Sequence, residues 1–471
     1  MLPFVIYIKA TKSSGLILDL LILSIPITAH FLLLIDYTAK VGFCKQYSHN
    51  RVNIFTMSDI EQTKTLLKRL LTEHKRMDIV AKFGGSSLSD SKKWKKIADI
   101  LKENKQRRLV VLSAQGKRFF NDIKVTDLLI EYCSKIDSKQ KNNIWQQIKA
   151  RYAAIAKDFS VDFNAVLNET EQSLPLLSRC AVISRGEYLS AKLFALINNF
   201  TYLEAAKLIK FDKDKKLLTD LTFQLLRDAV SDGKKYVIGG FYGSDTQNRI
   251  VLFDRGGSDI SGALFAAAVN AEMYENWTDV SGFYVCDPRI VLNPVKINCM
   301  SFEQLKTLSR YGAGVLHADS VYPASTRGIP IIIKSIFKPH DSGTSIVRQN
   351  STQSAVIGIT ALSALKIKRY RNSKCTTIPD NPLFFCRTDN FDLIYLKQGN
   401  KIDGKEPSQT TAILTVVHNN VKNIADIVCK TLDENDVSNH LLCYDDRMLM
   451  TEISPLFSAR AIKKVYNRFF E

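Results

Sequence analysis

Short apolar runs that alternate with longer amphipathic stretches place the strongest constraint on how this chain can fold. The runs read DIVAKF (78–83), RLVVLSA (108–114), YVIGGFYG (236–243), RIVLF (249–253) and IPIIIKSI (329–336). Helical patterns such as VTDLLIEYCSKI and SAKLFALINNF lie between them. Continuously apolar strands are typical of a parallel sheet that helices bury on both faces. We therefore expect an α/β fold in which a largely parallel sheet is covered by helices.

The tail after residue 350 consists of shorter units. It reads as strand AILTVVHN, helix VKNIADIVCKTLDEN, strands NHLLCYD and MLMTEIS, and helix SARAIKKVYNRFF. This β-α-β-β-α order is that of a small ferredoxin-like α+β module that lacks only its last strand. Such a compact module is suited to binding a small effector or to pairing with a copy of itself.

The first 57 residues differ from the rest. The segment GLILDLLILSIPITAHFLLLID (15–36) is apolar enough to resemble a membrane segment or a signal sequence. Asp19, Pro26 and His30 interrupt it, and no cleavage site of small residues stands out. The organised pattern begins near Met77. We therefore expect residues 1–76 to be a leader, and the working chain to start at Met57 or Met77.

Composition and charge bear on which partners the protein binds and on which cellular compartment it occupies. With 45% hydrophobic and 24% charged residues, the chain is typical of a soluble globular protein. Its net charge of +18 is spread along the chain without a nucleic-acid-binding motif, so we expect a basic surface and no nucleic-acid partner. The nine cysteines form no C-x-x-C pair and are expected to be mostly buried thiols in a reducing compartment. We expect a cytoplasmic protein in which the part after residue 76 has no membrane contact.

The glycine loop KFGGSS (82–87) stands between the first apolar strand and a helical pattern. Its glycines permit a ligand to approach the backbone closely, and N–H groups at a helix start favour an anion. A tight turn without a ligand is the commoner origin of such a junction. Lys82, which ends the strand, favours phosphate binding because its ammonium can reach a phosphoryl oxygen. The loop is neither a Walker P-loop nor a G-x-G-x-x-G motif.

A second glycine loop, RGGSD (255–259), precedes an apolar helix. Ser258 is a natural N-cap, and Asp259 falls in the first helical turn. A capped helix explains these two residues but leaves Arg255 unexplained, whose guanidinium can hold a carboxylate. In open sheets, ligands bind at the carboxyl ends of the strands, where we expect both loops. Together the loops indicate phosphoryl transfer near a carboxylate.

Several motifs occur in the order and approximate spacing of the aspartokinases, which belong to the amino acid kinase superfamily. They are VAKFGGSSLSD, VVLSAQGK, VTDLL, VISRGEYLSAKLFA, GGFYGSD, RGGSDISGALFAAAVNAEMYENWTDVSGFYVCDPRIV and RYGAGVLHADSVYPASTRGIPIIIKS. The chain resembles this family over residues 77–350, which we expect to form an amino acid kinase catalytic domain. The tail resembles the family's ACT regulatory region, with a short, incomplete ACT-like segment at 351–411 and an ACT-like module at 412–471.

The resemblance implies an ATP-dependent aspartate kinase. Such an enzyme transfers the γ-phosphoryl group of ATP, with Mg²⁺, to the side-chain carboxylate of L-aspartate and yields 4-phospho-L-aspartate and ADP. This reaction is the first step of the aspartate-derived pathway to lysine (through diaminopimelate), threonine and methionine. The resemblance further implies a homodimer formed through the ACT region and an amino-acid effector such as lysine or threonine.

The resemblance also assigns site residues. Lys82 would neutralise charge on the transferring phosphoryl group, and Asp259 would orient Lys82. The residues that would bind aspartate are Thr126, Glu187, Arg255 and Ser258, of which Glu187 is suited to the substrate ammonium. The residues that would bind the nucleotide are Lys82, Phe83, Gly84, Gly85, Ser86, Thr278, Asp279, Tyr284 and Arg289. No protein ligand to a metal is implied, because the Mg²⁺ accompanies the nucleotide.

Some positions depart from the family pattern or admit a plainer interpretation. Gly314 stands where relatives have a lysine that contacts the nucleotide, and Asp254 replaces a glycine, so that its charge would repel phosphates. Glu187 could be an ordinary acid in the first turn of a helix, and Trp277 and Phe283 are expected to serve packing. Two alternatives therefore stay open: a catalytically weakened amino-acid-sensing relative, and another amino acid kinase.

Overall fold

The computed structural model describes most of the chain from Arg76 onward and four short strands before it. The described residues are 5–7, 21–23, 45–48, 51–54, 76–230, 234–254, 256–312, 316, 318–348, 355–371, 383–387, 391–396 and 409–471. The chain divides into two compact units, Met1–Lys75 and Arg76–Glu471. In the first unit, the antiparallel pairs are β1 (Val5–Tyr7) with β2 (Leu21–Leu23) and β3 (Lys45–Ser48) with β4 (Arg51–Ile54).

The apolar segment 15–36 lies largely outside the described residues. Within the residues that are described, no helix is both long and apolar enough to cross a membrane. The status of the leader therefore stays a prediction.

The second unit is organised around an eight-stranded sheet. Its strands are β5 (Arg76–Phe83), β6 (Leu109–Leu112), β7 (Thr201–Leu203), β9 (Tyr236–Gly239), β12 (Ala271–Thr278), β13 (Cys299–Ser301), β14 (Ile331–Ser335) and β15 (Thr344–Val347). Their order across the sheet is β13-β15-β14-β12-β5-β6-β9-β7, and every pair except β14 with β15 is parallel. The predicted α/β fold with a largely parallel sheet is confirmed.

Helices cover both faces of this sheet. They are α1 (Ser91–Glu103), α2 (Val125–Ser134), α3 (Ser138–Asp158), α4 (Asn164–Ser173), α5 (Arg179–Ile183), α6 (Arg185–Asn198), α7 (Ala205–Leu208), α8 (Thr219–Asp228), α9 (Gly257–Val269), α10 (Phe302–Arg310) and α11 (Tyr322–Thr326). Ala81 of β5 belongs to the core under α1, α2, α3 and α6, whereas Val80 belongs to the core under α9. Because side chains alternate along a strand, Lys82 points to the same side as Val80 and therefore toward α9.

A three-stranded sheet corrects two expectations about the strands. It contains β8 (Lys210–Phe211), β10 (Tyr242–Asp245) and β11 (Ile250–Leu252), in the order β11-β10-β8. The run 236–243, predicted as one strand, is split because Phe241 adopts a left-handed conformation with φ of 76°. The loop RGGSD was expected to follow a strand of the main sheet, but it follows β11, which pairs with β10 in the small sheet.

The tail forms a six-stranded antiparallel sheet with the order β17-β18-β16-β19-β21-β20. Its elements are β16 (Val356–Arg371), β17 (Phe384–Arg387), β18 (Phe391–Leu396), β19 (Thr410–His418), α12 (Ile424–Asp433), β20 (Asn439–Tyr444), β21 (Met448–Ile453) and α13 (Ser458–Phe470). The predicted β-α-β-β-α order from β19 to α13 is confirmed. β16 pairs with β19 and supplies the strand that this pattern lacked.

The segment between β16 and β19 contains strands and no helix among its described residues. The sequence likewise carries no clear helical pattern there. The boundaries of the two ACT-like segments, 351–411 and 412–471, stay predictions, because one continuous sheet joins both segments.

The cysteines are less buried than expected. Of the six whose side chains are described, Cys286 is buried, and Cys133, Cys180, Cys299, Cys429 and Cys443 are half-buried. Cys299 and Cys443 lie on β13 and β20, which are edge strands of their sheets. An edge position leaves a side chain with fewer neighbours. The expectation of mostly buried thiols is therefore wrong for the described residues.

Candidate active site

Lys82, Asp259 and Asn276 form a hydrogen-bonded cluster at the carboxyl end of β5. Lys82 Nζ lies 2.6 Å from Asp259 Oδ1 and donates to Asn276 Oδ1 at 3.3 Å. The Asn276 amide donates in turn to Asp259 Oδ1 at 2.8 Å. Lys82 is 7% exposed and Asn276 is 4% exposed, so the ion pair is held largely out of water. The structure thus brings the two predicted catalytic residues into direct contact.

Strand register and the start of one helix bring these three side chains together. β5 and β12 are parallel neighbours, and Lys82 is paired with Asn276 in their register. Asp259 comes from the first turn of α9, whose N-cap is Gly256 with φ of 59°. This left-handed conformation favours glycine, which has no Cβ to clash with the backbone.

The prediction that Ser258 is the N-cap of α9 is wrong. The helix already includes Gly257, so Gly256 is the N-cap and Ser258 lies inside the first turn. Ser258 is buried, and a Cβ on Gly240 would lie 2.7 Å from its Cα. The bare backbone of Gly240, just after β9, therefore lets the start of α9 pack against the end of the main sheet.

The loop after β5 is shaped by close backbone contacts. Gly84 donates its N–H to the Trp277 carbonyl at 3.0 Å, and Gly116 donates to the Gly85 carbonyl at 2.8 Å. A Cβ on Gly85 would lie 2.7 Å from the Ala114 carbonyl oxygen, and a Cβ on Gly116 would lie 2.7 Å from the Gly85 carbonyl oxygen. Because backbone atoms occupy that space, both positions require glycine.

Gly84 lies next to the Lys82 ammonium. A Cβ at Gly84 would lie 3.5 Å from Lys82 Nζ, in ordinary van der Waals contact, so the loop backbone passes close to the ammonium. Ser86 follows in a short 3₁₀ helix, and its carbonyl accepts a hydrogen bond from Lys93 Nζ at 2.9 Å. The loop is therefore tied to α1 through Ser86 and lies beside Lys82 at Gly84.

Glu187 is a buried carboxylate with an unsatisfied oxygen. It lies in the first turn of α6 and is 4% exposed. Its carboxylate accepts hydrogen bonds from its own N–H and from the backbone of Ala114. Oε2 has no hydrogen-bond partner within the described part of the chain, and burial raises the pKa of Glu187 to about 8. An ordinary first-turn acid would be solvated, so this environment favours a cation-binding role.

Sequence reasoning missed Gln115 and Asn276. Gln115 directly follows Ala114, is 1% exposed, and neither polar atom of its side chain has a partner in the described residues. Each of these residues is an amide whose neighbours in the sequence are buried. That signal was present in the sequence, but an isolated amide does not reveal what lies opposite it on the next strand.

The other predicted residues near the substrate are placed as follows. Thr126 is half-buried in the first turn of α2. Arg255 lies outside the described residues, as does Gly314. Phe83 is fully buried, and its ring stacks on Trp277 with centroids 6.0 Å apart. The Phe83 side chain therefore serves packing, and only its backbone can contact a nucleotide.

The predicted nucleotide segment begins beside the glycine loop. Thr278 ends β12, and its hydroxyl donates to Asp279 Oδ1 at 3.0 Å. Tyr284 is half-buried, whereas the Arg289 side chain is 89% exposed and pairs with Asp287 at 2.6 Å. Among the described residues no hydrogen bond joins Tyr284 or Arg289 to the Lys82 cluster. Thr278 and Asp279 lie near the glycine loop after β5, because they directly follow Trp277, whose carbonyl accepts the hydrogen bond from Gly84.

Trp277 and Phe283 were expected to serve packing, and Asp254 was expected to repel phosphates. Trp277 is fully buried, and the cations of Arg107 and Lys334 each lie 5.2 Å from its ring centroid. Phe283 is 1% exposed. The expected packing roles of both rings are confirmed. Asp254 is exposed to solvent, where water screens the repulsion that its charge would exert on phosphates.

Comparisons with known proteins agree with this geometry. Residues 77–335 match the Amino acid kinase family. Aspartokinase 3 of Bacillus subtilis (strain 168) is 31% identical over 314 residues, which cover 62% of this chain and 69% of that protein. The aspartokinase of Chlamydia pneumoniae is 30% identical over 301 residues, which cover 60% of this chain and 66% of that protein. The matched part is thus about two thirds of each relative's length.

Solved structures extend the similarity into the tail. The aspartate kinase of Clostridium acetobutylicum has a TM-score of 0.75 at 28% identity, and the match covers 83% of this chain and 100% of that one. Aspartokinase III of E. coli, solved with aspartate and ADP, has a TM-score of 0.72 at 19% identity over 84% of this chain and 100% of that one, which shows a shared fold. The chain belongs to the amino acid kinase family and, within it, to the aspartokinases.

Proposed function

We propose that this chain is an aspartate kinase that phosphorylates the side-chain carboxylate of L-aspartate with MgATP. The observation that carries the proposal is the Lys82 ammonium, held by Asp259 at 2.6 Å beside the glycine loop at Gly84. The sequence similarity to two aspartokinases supports the choice of substrate.

The chemistry requires positioning and charge neutralisation rather than a general base. A carboxylate nucleophile is already ionised at neutral pH, so no protein group has to remove a proton from it. Negative charge is spread over the oxygens of the transferring phosphoryl group. Two of the three N–H donors of Lys82 are engaged by Asp259 and Asn276, and the third is proposed to contact a phosphoryl oxygen.

Glu187 is proposed to bind the ammonium group of aspartate. Its unsatisfied Oε2 would gain a charged donor, and the ammonium would draw the carboxyl toward its ionised form. Thr126, Ser258 and Arg255 are proposed to complete the aspartate site, with Arg255 holding a substrate carboxylate. These roles follow from the family resemblance and from the placement of Ser258 beside Asp259.

The nucleotide is proposed to lie along the glycine loop. Gly84, Gly85, Ser86 and the backbone of Phe83 would line the phosphates, because no side chain at the glycines blocks close approach. Thr278, Asp279, Tyr284 and Arg289 are proposed as further nucleotide contacts. Mg²⁺ would be carried on the phosphates and would neutralise part of their charge, without an assigned protein ligand.

The tail is proposed to regulate the enzyme. E. coli aspartokinase III has been solved with lysine and aspartate as well as with aspartate and ADP. We extend this to an amino-acid effector such as lysine or threonine for the present chain, and to a homodimer formed through the six-stranded sheet. A cytoplasmic location belongs to the same proposal.

The test is an assay for aspartyl phosphate on the full-length protein. The chain is given MgATP and aspartate, with glutamate in parallel, and hydroxylamine traps the acyl phosphate as a hydroxamate. Lys82→Ala should lower kcat on the order of 10²–10³-fold, and Asp259→Ala on the order of 10²-fold. Lys102→Ala is the matched control, because that side chain is 76% exposed, and it should leave kcat unchanged.

Two outcomes would contradict the proposal. Product formed with glutamate but not with aspartate would identify another amino acid kinase. No product despite measurable binding of aspartate or ATP would favour an amino-acid-sensing relative without catalytic activity.

A further inference from the structure

Asn276 contacts both members of the Lys82–Asp259 ion pair. Its carbonyl oxygen accepts a hydrogen bond from Lys82 Nζ at 3.3 Å, and its amide nitrogen donates to Asp259 Oδ1 at 2.8 Å. An amide is suited to this position because it offers one acceptor and one donor on a single planar group. The three side chains form a closed cycle of contacts that carries no net charge.

Asn276 is buried, so its polar atoms require hydrogen-bond partners within the protein. Asn276 is 4% exposed and lies in a central strand of the main sheet, with Trp277 fully buried next to it. A buried amide is costly unless its polar atoms are hydrogen-bonded. The two groups that the Asn276 side chain meets, Lys82 Nζ and Asp259 Oδ1, satisfy this amide, so its position depends on the ion pair.

We infer that Asn276 is a positioning residue for phosphoryl transfer, and this inference rests on the proposed kinase function. The Lys82 side chain has four rotatable bonds, and a single ion pair with Asp259 leaves its ammonium free to swing about that contact. The second contact, from the neighbouring strand, fixes the ammonium from another direction. Asn276 also occupies Asp259 Oδ1 and so holds that carboxylate in the orientation that meets the lysine.

Two variants of Asn276 distinguish positioning from packing. Asn276→Leu keeps the number and branching of the side-chain heavy atoms and removes both hydrogen bonds, and we expect kcat to fall about tenfold while the KM for aspartate stays within about twofold. Asn276→Asp keeps the shape. When its carboxyl is protonated, the O–H donates to Asp259 and the carbonyl accepts from Lys82, so the original pattern is restored.

The Asn276→Asp variant should therefore have a distinctive pH profile. When ionised, the introduced side chain places a second carboxylate beside Asp259, and the two repel and compete for one ammonium. The charged or titratable groups that face this position are Lys82 from β5, Asp259 from α9, and Tyr274, whose phenol donates to the Asp259 carbonyl at 3.2 Å. The kcat of Asn276→Asp relative to wild type should rise as the pH is lowered.

The experiment is the hydroxamate assay on the full-length wild type, both Asn276 variants and Asn439→Leu, across pH 6 to 9. Asn439 is an amide on β20, in the other sheet, and its replacement should leave kcat unchanged. If wild type is active and both Asn276 variants keep kcat within about twofold at every pH, only this inference is overturned. A loss in Asn276→Asp that is the same at every pH also overturns it. A wild type without product overturns the proposed function and this inference together. If Asn276→Leu does not fold, the pH profile of Asn276→Asp decides alone.

Discussion

Glu187 in the catalytic body and Glu452 in the C-terminal sheet are both buried, and the protein holds the two side chains differently. Glu452, on β21, is 9% exposed, and both its oxygens accept hydrogen bonds: Oε2 from the Tyr395 hydroxyl at 3.0 Å and Oε1 from the Thr411 hydroxyl at 2.8 Å. Glu187 is 4% exposed, and its Oε2 has no partner in the described part of the protein. Glu452 is therefore satisfied within the protein, whereas Oε2 of Glu187 is not satisfied by any described residue.

The difference separates a structural group from a ligand-binding group. A buried carboxylate that the protein satisfies contributes to the stability of its sheet. One that is left unsatisfied destabilises the empty protein, and a bound ammonium can recover that free energy. The contrast predicts that the same substitution at the two glutamates will affect different properties.

The largest expected effect is on aspartate binding. Glu187→Gln removes the negative charge and should raise the KM for aspartate about 10–100-fold, because a charged hydrogen bond contributes about 1.5–3 kcal/mol. The KM for ATP should not change. Steady-state kinetics with each substrate varied will measure both values. Glu452→Gln is the matched control and should leave the KM for aspartate within about twofold; an equal increase in both variants would remove the distinction.

The second effect is on the stability of the tail. Glu452→Ala removes a hydrogen-bond acceptor of the Tyr395 hydroxyl and leaves the Thr411 hydroxyl its longer contact with the Ile453 carbonyl at 3.3 Å, and it should lower the free energy of unfolding by about 2 kcal/mol. Glu452→Gln should cost less, because the amide keeps one acceptor and each hydroxyl can also accept. Denaturant unfolding of the two variants provides the comparison. A loss as large in the glutamine variant as in the alanine variant would show that charge, not hydrogen bonding, stabilises this position.

The third effect is a pH dependence that originates in the catalytic body. The pKa of Glu187 is about 8 in the folded protein against 4.5 for an ordinary glutamate. Between these values the folded state holds a proton that the unfolded state releases. The contribution to stability is therefore complete below about pH 4.5 and is lost as the pH rises toward 8. The decline can reach about 1.4 kcal/mol per pH unit.

Glu187→Gln should remove this decline, and Glu452→Gln should retain it. Denaturant unfolding at pH 5.5, 6.5 and 7.5 will measure the slope in both variants and in wild type. Saturating aspartate should also flatten the wild-type slope, since the substrate ammonium stabilises the ionised carboxylate. An unchanged slope in Glu187→Gln would contradict the raised pKa.

Much of the fold could be predicted from the sequence because its signals are local. Apolar runs located β5, β6, β9 and β14 of the main sheet but not β7, β12, β13 or β15. Local patterns also predicted the order from β19 to α13, and the glycine loops marked both ends of the Lys82–Asp259 pair. The prediction of Ser258 as N-cap failed because a serine and a glycine are both suited to that position. The choice depended on a left-handed turn at Gly256.

What the sequence by itself determined is therefore the α/β class, the family, and the candidate residues Lys82, Glu187 and Asp259. The tertiary structure alone decided which groups these residues meet. Lys82 and Asn276 are 194 positions apart, and only the register of β5 with β12 makes them neighbours. The unsatisfied oxygen of Glu187 and the pairing of β16 with β19 are likewise products of packing between distant segments, because hydrogen-bond satisfaction depends on the atoms that surround a group in space.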